Sequence, residues 1–245
     1  MISVSIRDLK KTFYVKGTEI KALNGFTSDI ENGETVSIVG HSGCGKTTLL
    51  RIISGLEKPD EGQVLFIDEN KNYTKPKRIG MVFQEPRLLP WLTVEKNIML
   101  ALKHIEHSLS IKEIVNNTLK VLGIYNFRDA YPHQLSGGMA QRASLGRALC
   151  RQPDLLLMDE PLGSLDALTR HRLRHELIDI LAKSNITTIL VTHDVTEAIL
   201  LGNKIIIVES GRIVQEIKVP MQHPRDENSI DFIRIKNTLL KYIFK

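Results

Sequence analysis

The sequence predicts an α/β fold built around a parallel sheet, and three observations predict it. Short apolar runs suited to strands alternate with stretches of helical spacing. A glycine-rich loop, Gly40 to Thr47, lies directly between one such run and the helix that follows. From about Glu85 to Cys150 the pattern becomes mainly helical, as a helical insertion in a sheet domain would read. In parallel sheets of this kind the ligand sits beyond the carboxyl ends of the strands. The segments that follow the apolar runs are therefore where functional residues are expected.

Taken in order, residues 2–30 read as short strands, Val4-Ser5-Ile6 and then Ile20 to Ile30, with Gly17 and Asn24-Gly25 as turn signals. Asn32-Gly33 turns the chain into Glu34 to Val39, whose apolar end fits a buried strand. Lys46 to Leu56 reads as a helix closed by Gly55 and Pro59. Val64 to Ile67 and Ile79 to Phe83 are strand candidates. Val94, Ile98, Leu102 and Ile105, then Ile111, Ile114, Val115, Leu119 and Leu122, recur at helical spacing. Leu155 to Met158 is a buried strand, 167–182 a helix, Thr187 to Val191 a strand and 194–201 a short helix. Ile205 to Val208 and Ile213 to Ile217 are strands, and Ser229 to Ile243 is an amphipathic helix. There is no internal repeat and no low-complexity linker.

Composition bounds the function. The chain has 245 residues, 42% hydrophobic and 25% charged, ordinary for a globular protein and incompatible with wholesale disorder. Two cysteines, Cys44 and Cys150, are too few for a disulfide scaffold and suit a reducing cytosol. Met1 to Arg7 lacks a basic region followed by an apolar core, so no signal peptide is expected. No apolar run reaches the ~18 residues a membrane helix needs, so work at a membrane would come from docking. The net charge of +5 is mild and the Lys and Arg residues are scattered, so the expectation is a solvated surface and no nucleic-acid partner.

The chemistry begins at Gly40-His41-Ser42-Gly43-Cys44-Gly45-Lys46-Thr47, which fits the P-loop pattern G-x-x-x-x-G-K-[ST] between a strand and a helix. Glycines let backbone N–H groups converge on phosphate oxygens, and the helix start adds its positive dipole end. Lys46 is expected to reach the β- and γ-phosphates, and the Thr47 hydroxyl to hold Mg²⁺; Thr48 continues the loop into the helix. Cys44 reads as a small loop residue. A second acidic site follows at Leu155-Leu156-Leu157-Met158-Asp159-Glu160. Asp159 is placed to hold the magnesium shell and Glu160 to polarise an attacking water, the parts that phosphoryl transfer to water needs. His171 and His175 stand four apart on a helix among Arg170, Arg172 and Arg174, and read as a solvated face rather than a metal site.

Leu135-Ser136-Gly137-Gly138-Met139-Ala140-Gln141-Arg142 opens another helix, running to about Leu149, with Ser136 as N-cap. Here the chain resembles the ATP-binding-cassette family of transporter ATPases over nearly its full length. Leu135 to Gly138 matches the family signature. Gln84 resembles the Q-loop glutamine, Leu162-Gly163-Ser164-Leu165-Asp166 the D-loop, and His193 the switch histidine that senses the γ-phosphate. Phe13, or Tyr14 beside it, stands where the family stacks an aromatic on adenine. The segment Phe83 to Val94, Asp166 to Arg170 and the tail from Pro224 are close to importers for nitrate, sulfonates and taurine. Met139 stands where the wider family often has Gln, Leu162 replaces a Phe, and Gly146 interrupts the signature helix at an expected cost of about 1 kcal/mol relative to Ala.

The resemblance implies a P-loop NTPase (RecA-like) core with an N-terminal antiparallel β subdomain and an inserted α-helical subdomain. Residues 1–85 and 151–220 would form the core, 86–150 the helical part with the signature, and 221–245 a helical tail. It implies ATP and Mg²⁺, with Gln84 joining Thr47 and Asp159 at the metal. Glu160, His193, Gln84 and Lys46 would carry catalysis. The 40–48 loop, Phe13 and Asp166 would hold nucleotide, closed over by Ser136, Gly137 and Gly138 of a second copy paired head to tail. The remaining partners it implies are membrane permease subunits and, indirectly, an external solute-binding protein. The place it implies is the cytoplasmic face of the membrane. The segment Gln84 to Leu92, with Leu88 and Leu89 between Pro86 and Pro90 and Trp91 and Leu92 just after, is expected to be an exposed turn that meets the permease. The competing reading is a soluble cassette ATPase acting on nucleic acid or ribosomes.

Overall fold

The computed structural model describes residues 2–76, 78–103 and 108–243. Ile105 lies outside the described residues. Among the described residues the strands form two sheets.

The first sheet is antiparallel, from β1 (Ile2–Val15), β2 (Thr18–Ile30), β4 (Glu61–Asp68) and the two-residue β5 (Tyr73–Thr74), in the order β2-β1-β4-β5. Gly17 is the hairpin turn expected. Asn24-Gly25 is not a turn, and β1 and β2 are longer than the short strands predicted. The register steps from Leu9 opposite Phe26 to Lys10 opposite Asn24, so Gly25 is the extra residue of a bulge inside a continuous strand. The pairing with β1 continues on both sides of that point, which a turn signal read locally does not reveal.

The main sheet orders β3 (Thr35–Val39), β6 (Ile79–Val82), β7 (Leu155–Asp159), β8 (Thr187–Val191), β9 (Lys204–Glu209) and β10 (Arg212–Lys218) as β10-β9-β3-β8-β7-β6. All neighbours are parallel except β10, which returns antiparallel along β9 at the edge. The period-2 rule divides the apolar side chains between two faces. Val36, Ile38, Leu155, Leu157, Ile189, Val191, Ile206 and Val208 face α1 (Lys46–Ile53) and the antiparallel sheet, packing with Leu49, Leu50, Ile6 and Phe26. Val39, Leu156, Met158, Leu190, Ile205 and Ile207 face the opposite way. There they meet α2 (Val94–Met99), α3 (Ser108–Val121), α4 (Gly137–Leu149), α5 (Ala167–Lys183), α6 (Val195–Leu201) and α7 (Ile230–Ile243) in one continuous core. Each fully buried aliphatic or aromatic side chain stabilises such a core by about 1.5–3 kcal/mol.

Gly146 corrects an expectation. A Cβ there would lie 2.9 Å from Leu122 Cδ1, 3.1 Å from Ile98 Cδ1 and 3.2 Å from Thr118 Cγ2. The glycine lets α2 and the end of α3 press against the middle of α4, so what it costs in helix propensity returns as close packing. The tail is anchored as firmly. Phe232 and Leu239 are buried in the same core, and the buried Arg225 donates to the carbonyls of Ile199 and Gly202 at the end of α6.

Candidate active site

Three chain segments that leave the carboxyl ends of the main-sheet strands β3, β7 and β8 converge. After β3, residues 40–45 loop back into α1. Gly45 has φ +102°, and a Cβ on it would stand 1.9 Å from the carbonyl oxygen of Ala22, so only glycine fits. The loop curls around its own lysine. Lys46 is buried, and its Nζ donates to the carbonyls of Gly40 and His41, each at 2.8 Å, and lies 3.6 Å from Cys44 Sγ. Cys44 is buried and free.

After β7 come the two carboxylates. Thr47 Oγ1 donates to Asp159 Oδ1 at 3.2 Å. Burial pushes the Asp159 carboxyl above the usual range, and the charge of Glu160 adds to this, while the Thr47 hydroxyl and Lys46 pull it back. A hydroxyl and a buried carboxylate are hard oxygen donors, the kind Mg²⁺ takes together with water and phosphate oxygens, and a cation beside Asp159 would offset its burial. The donor set therefore fits the metal expected here.

Glu160 adopts φ +45°, a left-handed conformation costing a non-glycine residue about 1 kcal/mol. Its N–H donates to Val191 O at 2.9 Å. The turn swings its carboxylate towards the segment after β8, where His193 Nδ1 lies 3.1 Å from Glu160 Oε2. The register explains the meeting, because Asp159 pairs with Val191 across β7 and β8.

A cleft of about 380 Å³ opens over the loop, lined by Ser42, Gly43, Gly45, Lys46, Thr47, Thr48 and Glu160 below and by Phe13, Ile20 and Ala22 on the β1–β2 hairpin. Of Phe13 and Tyr14, Phe13 lines the cleft, with Lys11 Nζ 5.3 Å from its ring centroid, and Tyr14 does not. Ile20 was missed in sequence. It is the cross-strand partner of Phe13 and shares its face, a signal the hairpin register carries. A roomier groove lined by Ile114, Val121, Leu149, Cys150 and Ile186 is apolar and holds none of these groups.

Gln84, Ser136, Gly137, Gly138 and Asp166 do not line the cleft. Gln84 is exposed just beyond β6, and its neighbour Phe83 accepts from Gln141 Nε2 of α4 at 3.1 Å. Arg147, also on α4, donates to the carbonyls of Pro86 and Arg87. Ser136 caps α4 as predicted, its Oγ accepting from Met139 N–H, and Gly138 is buried against Thr169 of α5. Asp166 caps α5 by accepting from Thr169 N–H at 3.0 Å, a bond that holds its carboxyl below the usual range. The signature thus sits beside the start of α5 in its own subunit. Trp91 is 68% exposed, whereas Leu88 is partly buried against the core. His171 and His175 place their Nε2 atoms 3.3 Å apart on an exposed face, and no group of three or more potential metal ligands occurs among the described residues. No helix among the described residues is long and apolar enough to cross a membrane.

The sequence matches the family described as ABC transporter over residues 23–163. It is 40% identical over 245 residues to the aliphatic sulfonates import ATP-binding protein of Bacillus cereus, covering 98% of this chain and 95% of that protein. It is 41% identical over 229 residues to the bicarbonate transport ATP-binding protein of Synechococcus elongatus, covering 91% of this chain and 34% of that one. Among solved structures it is similar to the dimeric post-hydrolysis state of an ATP-binding cassette bound to ADP and Pi. That match has a TM-score of 0.77 and 32% identity, over 89% of this chain and all of that one.

Proposed function

This chain belongs to the ABC transporter family, and from that premise we propose that it is the ATP-hydrolysing subunit of an importer for a small anionic or zwitterionic solute of the nitrate, sulfonate, taurine or bicarbonate kind. One observation carries the reading. The phosphate loop, Asp159, Glu160 and His193 come from different strand ends, yet two hydrogen bonds, Thr47 to Asp159 and Glu160 to His193, join them into one edge.

In this mechanism the adenine stacks against Phe13 and Ile20, and Lys46 turns from the loop carbonyls to the β- and γ-phosphates. Thr47 and Asp159 would hold Mg²⁺, and Gln84, beyond the end of β6, would be the further ligand. When bound, the ion neutralises charge building on the phosphate oxygens. Glu160 orients the attacking water and accepts its proton. His193, hydrogen-bonded to that carboxylate, stands where it can also meet the γ-phosphate. Ser136, Gly137 and Gly138 of a second copy supply the backbone N–H groups and helix start that cover the phosphates from the other side, and Asp166 lies at that seam. Support for a second copy is the position of the signature, beside α5 and outside the cleft of its own chain. The permease meets the segment around Trp91, on the cytoplasmic face of the membrane, and the external binding protein chooses the solute. A cassette working on nucleic acid or ribosomes is not favoured, since the relatives named above are import and transport subunits.

The test is ATP hydrolysis by the purified protein. Lys46→Ala should lose nucleotide affinity. Glu160→Gln should bind MgATP and turn over ~10²-fold more slowly or worse. Wild-type turnover by Glu160→Gln overturns the assignment.

A further inference from the structure

His193 is exposed over more than half of its side chain, and that side chain meets the mostly buried carboxylate of Glu160. Something else must fix the backbone that carries it. Thr192, directly before it, is 2% exposed, and its N–H donates to Ile38 O of β3 at 3.1 Å. Thr192 Oγ1 accepts from Asp194 N–H, directly after the histidine, at 3.0 Å. The same hydroxyl donates to Glu197 Oε2 at 2.6 Å. Asp194 in turn caps α6, its Oδ1 accepting from Thr196 N–H at 2.8 Å and Glu197 N–H at 3.1 Å. Both neighbours of His193 are thereby tied to one buried carboxyl, which is 3% exposed.

We propose that Glu197 is a positioning residue for hydrolysis: by accepting the hydrogen bond of the Thr192 hydroxyl it fixes the turn that aims His193 at Glu160. The inference rests on the reading of His193 and Glu160 as the catalytic pair.

The surroundings favour a dedicated role. A carboxyl in this place is costly, because burial disfavours its charged form and pushes it up to about 7. Asp194 on the same helix raises it further, and Arg174 and Arg170 on α5 pull it back without an ion pair to it among the described residues. Glu197 Oε1 has no hydrogen-bond partner in the described structure. A residue kept only for packing would be aliphatic at this position. Sequence carried a partial signal: Asp194-Val195-Thr196-Glu197 has capping-box spacing. The glutamate, however, reaches past the cap to the threonine two residues earlier.

Steady-state ATPase kinetics on the full chain test this. Thr192→Val removes the hydroxyl at nearly constant volume, Glu197→Ala removes the acceptor, and Glu197→Gln keeps an oxygen that can accept. The expected result is a kcat lower by about ten-fold for Thr192→Val and Glu197→Ala with KM for ATP unchanged, a double variant no worse than either, and Glu197→Gln near wild type. Circular dichroism and thermal unfolding identify folded protein; should Glu197→Ala fail to fold, Thr192→Val alone decides. Wild-type kcat in Thr192→Val, or a Glu197→Gln enzyme as slow as the alanine variant, overturns the proposal while leaving the catalytic pair intact. His193→Ala serves as the control. Wild-type kcat there removes the catalytic assignment itself, and the positioning role with it.

Discussion

His193 Nδ1 lies 3.1 Å from Glu160 Oε2, although the two residues reach the site from different strands. The parallel pairing of Asp159 with Val191 brings the ends of β7 and β8 level, and the left-handed turn at Glu160 closes the remaining gap. In the proposed mechanism two groups held in this way act on one reacting water as a unit. The expected consequence is non-additivity: in single-turnover hydrolysis the Glu160→Gln/His193→Ala double variant should be scarcely slower than Glu160→Gln alone. Multiplicative losses would mean that the two residues work independently.

Glu197 predicts how stability depends on pH. Its carboxyl titrates near 7 in the fold against an ordinary value of 4.5, so the folded state holds a proton that the unfolded chain has already released. Stability from this group is complete below pH 4.5 and is lost as pH rises towards and through 7. Glu197→Gln carries no such loss. Its Tm should exceed that of wild type at pH 8 by several degrees, a gap of a few kcal/mol at most, and the two should converge near pH 5. An equal difference at both values would place the titration elsewhere.

Helix propensity alone makes Gly146→Ala a stabilising change of about 1 kcal/mol. The packing reverses the sign, since the new methyl group would stand 2.9 Å from Leu122 Cδ1 in the buried core. Overpacking of this kind costs about 1–3 kcal/mol, so denaturant unfolding should show a net loss of about 1 kcal/mol. A gain would show that α2 and α3 can retreat from α4.

What was legible in the sequence follows from the range of each interaction. The phosphate loop, the apolar strand before Asp159 and the cap at Ser136 are local, and each is readable from a few consecutive residues. The Asn24-Gly25 bulge, the packing at Gly146 and the Thr192–Glu197 bond depend on what stands opposite in space. Their local signals were therefore misleading in the first two cases and incomplete in the third. Phe13 shows the intermediate case. An aromatic pair was readable, but only the strand register, with Ile20 opposite, chose which ring faces the cleft.

Trp91 offers a test of the docking surface. Its side chain is 68% exposed, and the segment beneath it is held by Asn97, which accepts from Leu89 N–H and donates to Leu89 O, Leu92 O and Thr93 O. Trp91→Ser should leave Tm within about 1 °C and basal ATPase unchanged, because exposed substitutions usually shift stability by under about 0.5 kcal/mol. The same change should abolish copurification with the permease. A markedly lowered Tm would mean that the indole stabilises the fold, and the docking face would then lie elsewhere.

Whether the signature of a second copy completes the nucleotide site is decided by sizing chromatography of Glu160→Gln protein. A composite site gives a monomer without nucleotide, a dimer when MgATP is added, and a monomer again under MgATP once Ser136→Arg is introduced beside Glu160→Gln. A Glu160→Gln protein that stays monomeric at saturating MgATP, or a dimer that survives Ser136→Arg, would contradict it.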